Sequence, residues 1–361
     1  MKRLSLMLVL TVCVSLLAGC AGTPVVYQTN CTCPVEAHTP AETVAPVVEE
    51  TVPAVEGALK TGLYISAGIG ESKSAAAEEN GEGKYDVTMV AVLVDDEGII
   101  RDCIIDGIST SVKFDNQGTI TSDLTVVPQT KNELGENYGM VAYGGAIAEW
   151  DAQAAALASY AVGKTVEELK NGAIDETGKA PAGSDLASSA TIYLGGYVAA
   201  IEKAAANAVH LGAQSGDVLK LASVNAIDSS ASVGEKDGTA QLDATVTALT
   251  MNGETITSCA IDAVQAKVAF DASGAVTSDL TAPVQTKNEL GESYGMVAWG
   301  GAIAEWDQQA ASFAAYVTGK TAEEVSGIAV DESTHPTDAD LASSVTIAIG
   351  GFQALIAKAV Q

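Results

Sequence analysis

Residues 131–151 read KNELGENYGMVAYGGAIAEWD, and residues 287–307 read KNELGESYGMVAWGGAIAEWD. Nineteen of these twenty-one positions agree, at an offset of 156. Working outward at that offset, Cys103 meets Cys259, Asp106 meets Asp262 and Phe114 meets Phe270. The T-S-D-L-T of residues 121–125 recurs at 277–281. Toward the end of each copy the offset falls to 155, so that Asp185 meets Asp340 and Thr191 meets Thr346. The globular part is therefore one unit written twice, over 58–213 and 214–361. A period this long predicts two homologous domains in tandem, because solenoid units run to only about 20–50 residues.

Within each copy, strand signals come first and helix signals follow. Residues 86–94 (DVTMVAVLV), 99–105 (IIRDCII) and 110–114 (TSVKF) have strand composition. Turn signals at Asp95-Asp96-Glu97-Gly98 and Asp115-Asn116-Gln117-Gly118 punctuate them. Copy two repeats the pattern at 244–250, 255–261 and 264–270. An Ala-rich helix is predicted over 145–162, a short one at 165–170 and a last one over 189–209. Their equivalents are 301–318, 321–326 and 344–360. Segregated strands and helices predict an α+β class, each copy being an antiparallel sheet packed with helices.

The rest of the chain narrows the function. It has 361 residues, with 46 acidic against 18 basic side chains and a net charge of −28. That charge opposes a nucleic-acid or anionic-lipid surface. Three histidines and six scattered cysteines, with no C-x-x-C-H, oppose a multi-metal or c-type haem protein. Lys2 and Arg3 precede an apolar run from Leu4 to Leu17, too short for a membrane span. The run ends in Leu17-Ala18-Gly19-Cys20, a bacterial lipobox. Residues 1–19 thus read as a signal peptide and Cys20 as the lipidated residue, with two acyl chains enough for stable anchoring. Loss of the two leader cations takes −28 to −30. Residues 20–57 hold five of the nine prolines and no Lys or Arg, the composition of an extended tether. Cys31, Cys33 and His38 lie in it, with a metal site, a local disulfide and two free thiols all open as readings.

The remaining signal is D-L-A-S-S-A-T at 185–191 and D-L-A-S-S-V-T at 340–346, each running on into a Gly-Gly pair. Two readings are open. Asp185 or Ser188 simply caps a helix, or the N–H groups of that helix start receive an anion such as a phosphate on Thr191.

This pattern resembles the flavinylation site of the FMN-binding domain family, whose consensus is roughly D-x-x-[ST]-G-A-T. The family includes flavin-bearing subunits of sodium-pumping quinone reductases and tandem flavin lipoproteins of extracellular electron transfer. The layout here is most similar to the pheromone-associated flavin lipoproteins, and the likeness covers essentially the whole chain. It implies two FMN groups, joined through phosphate to Thr191 and Thr346 by an FMN transferase of the ApbE type. It implies Asp185, Ser188 and Ser189 as site residues in copy one and Asp340, Ser343 and Ser344 in copy two. Ser189 and Ser344 stand where the consensus has Gly, and Val345 where it has Ala. The 131–151 block would be the flavin cradle. By resemblance to an E-x-x-G segment, Glu133, Leu134 and Gly135 would line the ring, as would Glu289, Leu290 and Gly291. Tyr138 and Met140, with Tyr294 and Met296, suit packing on a flat ring. Lys131 and Lys287 suit its negative charge. The alternative for this block is a fold-determining loop with core aromatics. Trp150, Trp306, Cys103 and Cys259 read as core.

Such a chain would be a carrier lipid-anchored on the extracellular face of the cytoplasmic membrane, in a Gram-positive cell by the closest likeness. It would take electrons from a membrane quinol-oxidising system and pass them to ferric iron or soluble flavins. A surface reductase of one substrate and a non-redox binding lipoprotein are the alternatives. No nucleophile, Rossmann fingerprint or Walker loop argues for further chemistry.

Overall fold

The computed structural model describes residues 57–361. The leader, Cys20, Cys31, Cys33 and the tether as far as Glu56 lie outside the described residues. Copy one opens with β1 (Lys60–Gly68), β2 (Gly81–Val94) and β3 (Ile100–Phe114), and copy two with β4 (Val218–Ala226), β5 (Gly238–Asn252) and β6 (Thr255–Phe270). Each set forms one antiparallel sheet in chain order. In copy one the helices are α1 (Lys131–Leu134), α2 (Met140–Gly144), α3 (Trp150–Ala161), α4 (Val166–Ala173), α5 (Asp185–Ser189) and α6 (Gly195–Ala206). In copy two they are α7 (Lys287–Leu290), α8 (Met296–Gly300), α9 (Trp306–Val317), α10 (Ala322–Ser326), α11 (Ala339–Ala342) and α12 (Gly350–Ala359). The fold is α+β, with two homologous domains, each an antiparallel sheet packed with helices.

The strands differ from expectation in two ways. β1 carries Gly, Ala, Ser and Lys and β4 carries Ala, Ser, Asn and Lys in place of a strand-like run, and they become strands by pairing. β1 lies along Asp86–Val94 over its whole length. The expected strands 99–105 and 110–114 are one, because Asp106-Gly107 is not a break. Gly107 pairs with Thr88, and its N–H donates to Asp106 Oδ1 at 2.7 Å. The same holds at 262–263 in copy two.

Three cores stack through the molecule. β2 shows why its centre reads as an unbroken apolar run. Val90, Val92 and Val94 face the copy-one helices, while Met89, Ala91 and Leu93 face the other sheet. A strand buried on both sides has no polar face to alternate with. Copy two has its own helix-side core around Leu249, Ile256, Phe313 and Leu355. The two domains are thus fused along their sheets, in the order helices, sheet, sheet, helices, and the described residues form one compact unit. At the centre, the equivalent rings of Phe114 and Phe270 stack at 3.9 Å and 2°. Reciprocal bonds flank them: Ile120 N–H donates to Ser232 Oγ and Val276 N–H to Ser74 Oγ, both at 2.9 Å. The arrangement is a pseudo-two-fold dimer within one chain.

Candidate functional site

Both candidate threonines are exposed, and they lie in equivalent turns, Thr191 between α5 and α6 and Thr346 between α11 and α12. In each copy one buried side chain holds the turn. Thr191 N–H, Thr191 O–H and Ile192 N–H donate to Gln153 Oε1 at 2.8, 3.3 and 3.2 Å. Thr346 N–H, Thr346 O–H and Ile347 N–H donate to Gln309 Oε1 at 2.7, 3.2 and 3.2 Å. The same carboxamides donate to Ala148 O and Ala304 O, each at 2.8 Å. Gln153 and Gln309 are wholly buried. Sequence reasoning missed them. Their signal is a glutamine on the apolar face of each Ala-rich helix, two residues beyond the repeated block in both copies.

The Ser and Asp side chains of the motif do other work than expected. Neither Asp185 nor Ser188 caps α5; Ser184 does, accepting from Ala187 N–H at 3.2 Å. In copy two the cap is Asp338, which accepts from Asp340 N–H and Leu341 N–H. Ser188 and Ser343 donate to Asp185 O and Asp340 O at 2.6 and 2.8 Å. Ser344 donates to Leu341 O, and Ser189 Oγ lies 3.5 Å from Ser188 Oγ. The last helix does not start at the motif. It starts at Gly195, and Leu194 N–H and Gly195 N–H are bound to Gly178 O at 2.8 and 3.0 Å. The expected anion-receiving helix start therefore has those donors occupied. Val345, like Ala190, is buried in the core, so its extra bulk points away from the exposed threonine.

The KNELG segments are anchored caps. Thr130 caps α1 and Glu133 closes a capping box, its Oε2 accepting from Thr130 N–H at 2.8 Å. Thr286 and Glu289 repeat this on α7. Asn132 and Asn288 tie the segments to β3 and β6, through Ile105 O and Asp106 Oδ1 in copy one and Ile261 O and Asp262 Oδ1 in copy two. Burial pushes the Asp106 carboxyl up, and it pushes Asp262 up to about 6. Gly135 and Gly291 end these caps at φ 47°, a turn that favours glycine. Leu134 and Leu290 are half-buried.

Lys131 Nζ lies 5.3 Å from the Tyr138 ring and 4.9 Å from the Trp150 ring; Lys287 Nζ lies 4.9 Å from Tyr294 and 4.6 Å from Trp306. A lysine, a tyrosine and a tryptophan thus meet in both copies. The tryptophans are buried, while Tyr138, Met140, Tyr294 and Met296 are half-buried against the helix-side cores. The rings that stand in solvent are others. Tyr143 is 93 % exposed and Trp299 89 %, with Val141, Ile147, Val297 and Ile303 exposed around them. Glu149 holds this loop, its carboxylate accepting from Met140 N–H and Val141 N–H at 2.8 and 3.0 Å, and Glu305 does the same in copy two.

These residues fit a flavin phosphoester. Each copy offers an exposed hydroxyl and, through the shared Gln, a neighbouring loop of exposed apolar side chains. Side chains built at Gly144, Gly145, Gly300 and Gly301 would meet nothing within 4 Å, which leaves room for a flat ring. Cys103 and Cys259 are buried in the helix-side cores, and burial pushes the Cys259 thiol up to about 12. Among the described residues no three His, Cys, Asp or Glu side chains are close enough to hold a metal ion, and no helix is long and apolar enough to cross a membrane. In comparisons with family models, with curated proteins and with solved structures, the chain matches none.

Proposed function

We infer that this chain is an extracellular electron carrier, lipid-anchored through Cys20, with FMN joined through phosphate to Thr191 and Thr346. The observation that carries the reading is the exposed threonine hydroxyl, held by the same buried glutamine in both copies. Bound FMN would supply one- and two-electron redox chemistry. The protein's part is attachment and orientation. Gln153 and Gln309 fix the threonine turn to the loop that carries Tyr143 and Trp299, so the point of attachment and the apolar surface move as one. No carboxylate or imidazole bonds either threonine among the described residues. Among the described residues no base is placed to activate these hydroxyls, which favours modification by a separate FMN transferase. The proposed partners are that transferase, a membrane quinol-oxidising donor, and ferric iron or soluble flavin as acceptors. The exposed apolar loops favour a carrier over an enzyme, since a carrier needs an open contact face and no closed substrate pocket.

The test is to mature the protein with an FMN transferase and read covalent flavin by in-gel fluorescence and intact mass. The expected outcome is two FMN-sized adducts, one lost in Thr191→Ala, one in Thr346→Ala and both in the double variant. Absence of covalent flavin from the wild-type protein overturns the reading.

A further inference from the structure

The two seams where one copy's helices meet the other copy's KNELG segment ought to be alike, and they are not. In the first seam Lys358 of α12 crosses from copy two to copy one. Its ammonium donates to Ser223 O at 2.7 Å and forms an ion pair with Glu133. The equivalents in the second seam are Lys203 on α6 and Glu289. There Lys203 is exposed, and among the described residues neither side chain has an ion-pair partner. The neighbouring strands differ as well. Ser223 pairs with Val246 and Tyr64 with Val90, equivalent positions of the two sheets. The first seam thus has a serine where the second has a tyrosine, and Tyr64 lines the second seam's cavity.

What the second seam holds is a cavity of about 610 Å³, within the usual range for small-molecule sites. Its walls are mostly apolar, with Leu63 and Val209 from copy one and Ala311 and Ala315 from copy two. Its charged lining residues are all acids. Asp262, Glu289 and Asp307 all line it, and Asp307 Oδ1 is buried with no hydrogen-bond partner. Among the described residues no three such groups are close enough to share a metal ion.

We propose that this second seam is a binding site for a small organic amine, with its ammonium at Glu289 and Asp307 and its hydrocarbon body against the apolar wall. Lys358 is the precedent within the same molecule: an alkylammonium reaching the equivalent glutamate across the equivalent seam. The site is separate from the proposed point of attachment at Thr346, although Glu289 belongs to the segment that the resemblance places beside the ring. Asp307, Ala311, Ala314 and Ala315 form one flank of α9, and Gln309, which holds Thr346, projects about half a turn away.

The test is calorimetric titration of the full chain with hexylammonium chloride, 1-hexanol and sodium hexanoate. We expect one saturable hexylammonium site per chain, at least tenfold weaker binding of 1-hexanol and no binding of hexanoate. Glu289→Gln and Asp307→Asn should each weaken hexylammonium at least threefold, with 1-hexanol unaffected. Ala315→Phe should abolish binding by filling the cavity, and Thr346→Ala should leave it unchanged. The proposal is overturned by absence of saturable hexylammonium binding, by equal binding of 1-hexanol, or by hexylammonium binding that neither carboxamide variant weakens. If a variant does not fold, the comparison of amine with alcohol on the wild-type chain decides. None of these readouts depends on flavin.

Discussion

At the scale of single residues, the molecule relies on buried polar side chains that hold loops in place. Asp262 shows the cost. Buried in β6, it accepts from Ala263 N–H and Asn288 N–H and fixes α7, and its carboxyl is pushed up to about 6 by loss of water. A carboxyl raised above its unfolded value of about 3.9 binds its proton more tightly in the folded state. Its stabilising share is complete below about pH 4 and is lost as pH rises through about 6. Asp262→Asn keeps a neutral acceptor in place. The variant should match wild type near pH 4 and exceed it by roughly 2 kcal/mol at pH 7, as read by urea denaturation at the two pH values. Gln153 gives a second prediction, resting on the flavin reading. Gln153→Leu releases Thr191 and Ala148 together, so covalent flavin at Thr191 should fall several-fold while Thr346 in the same chain loads normally. Intact mass of Gln153→Leu combined with Thr346→Ala, against Thr346→Ala alone, measures this.

At the scale of elements, the repeated loop is set by backbone conformation as much as by side chains. Gly139 sits at φ 81°, and a Cβ there would lie 2.6 Å from the Tyr143 ring. Gly98 has nearly the same φ, 80°, but a Cβ there would meet nothing within 4 Å. Gly98→Ala should therefore cost only the backbone term, about 1 kcal/mol. Gly139→Ala should cost at least about 1 kcal/mol more, because the exposed ring must also move. Paired urea titrations separate the two. The elements themselves were unevenly legible. β2 and α9 stand out in the sequence, β2 because burial on both faces writes it as a continuous apolar run and α9 because its apolar residues recur at helix spacing. β1 and β4 do not, since pairing and not composition makes them strands. The last helix begins later than its apolar run because the threonine turn is held by side-chain contacts from another helix.

At the scale of the whole molecule, duplication has become internal dimerisation. Each copy leaves the inner face of its sheet to be covered by the other, with Phe114 on Phe270 at the centre. A copy expressed alone, residues 58–213, would expose that face. It should self-associate with Phe114 stacked on its own mate, and sedimentation equilibrium should show a dimer. A stable monomer would contradict the fused-sheet description.

The sequence alone determined the duplication, the α+β class and the placing of one threonine per copy. These follow from identity at a fixed offset and from local apolar patterning, both properties of the chain as written. Tertiary structure decided what lies far apart in sequence. It brought Gln153 to Thr191 and Gln309 to Thr346, placed one sheet on the other, and turned two nearly identical seams into a lysine-filled contact and an open cavity. The physical reason is that a contact depends on which side chains share a space. At the seams, equivalent register positions hold Ser223 in one strand and Tyr64 in the other, and the lysine contact forms on the serine side.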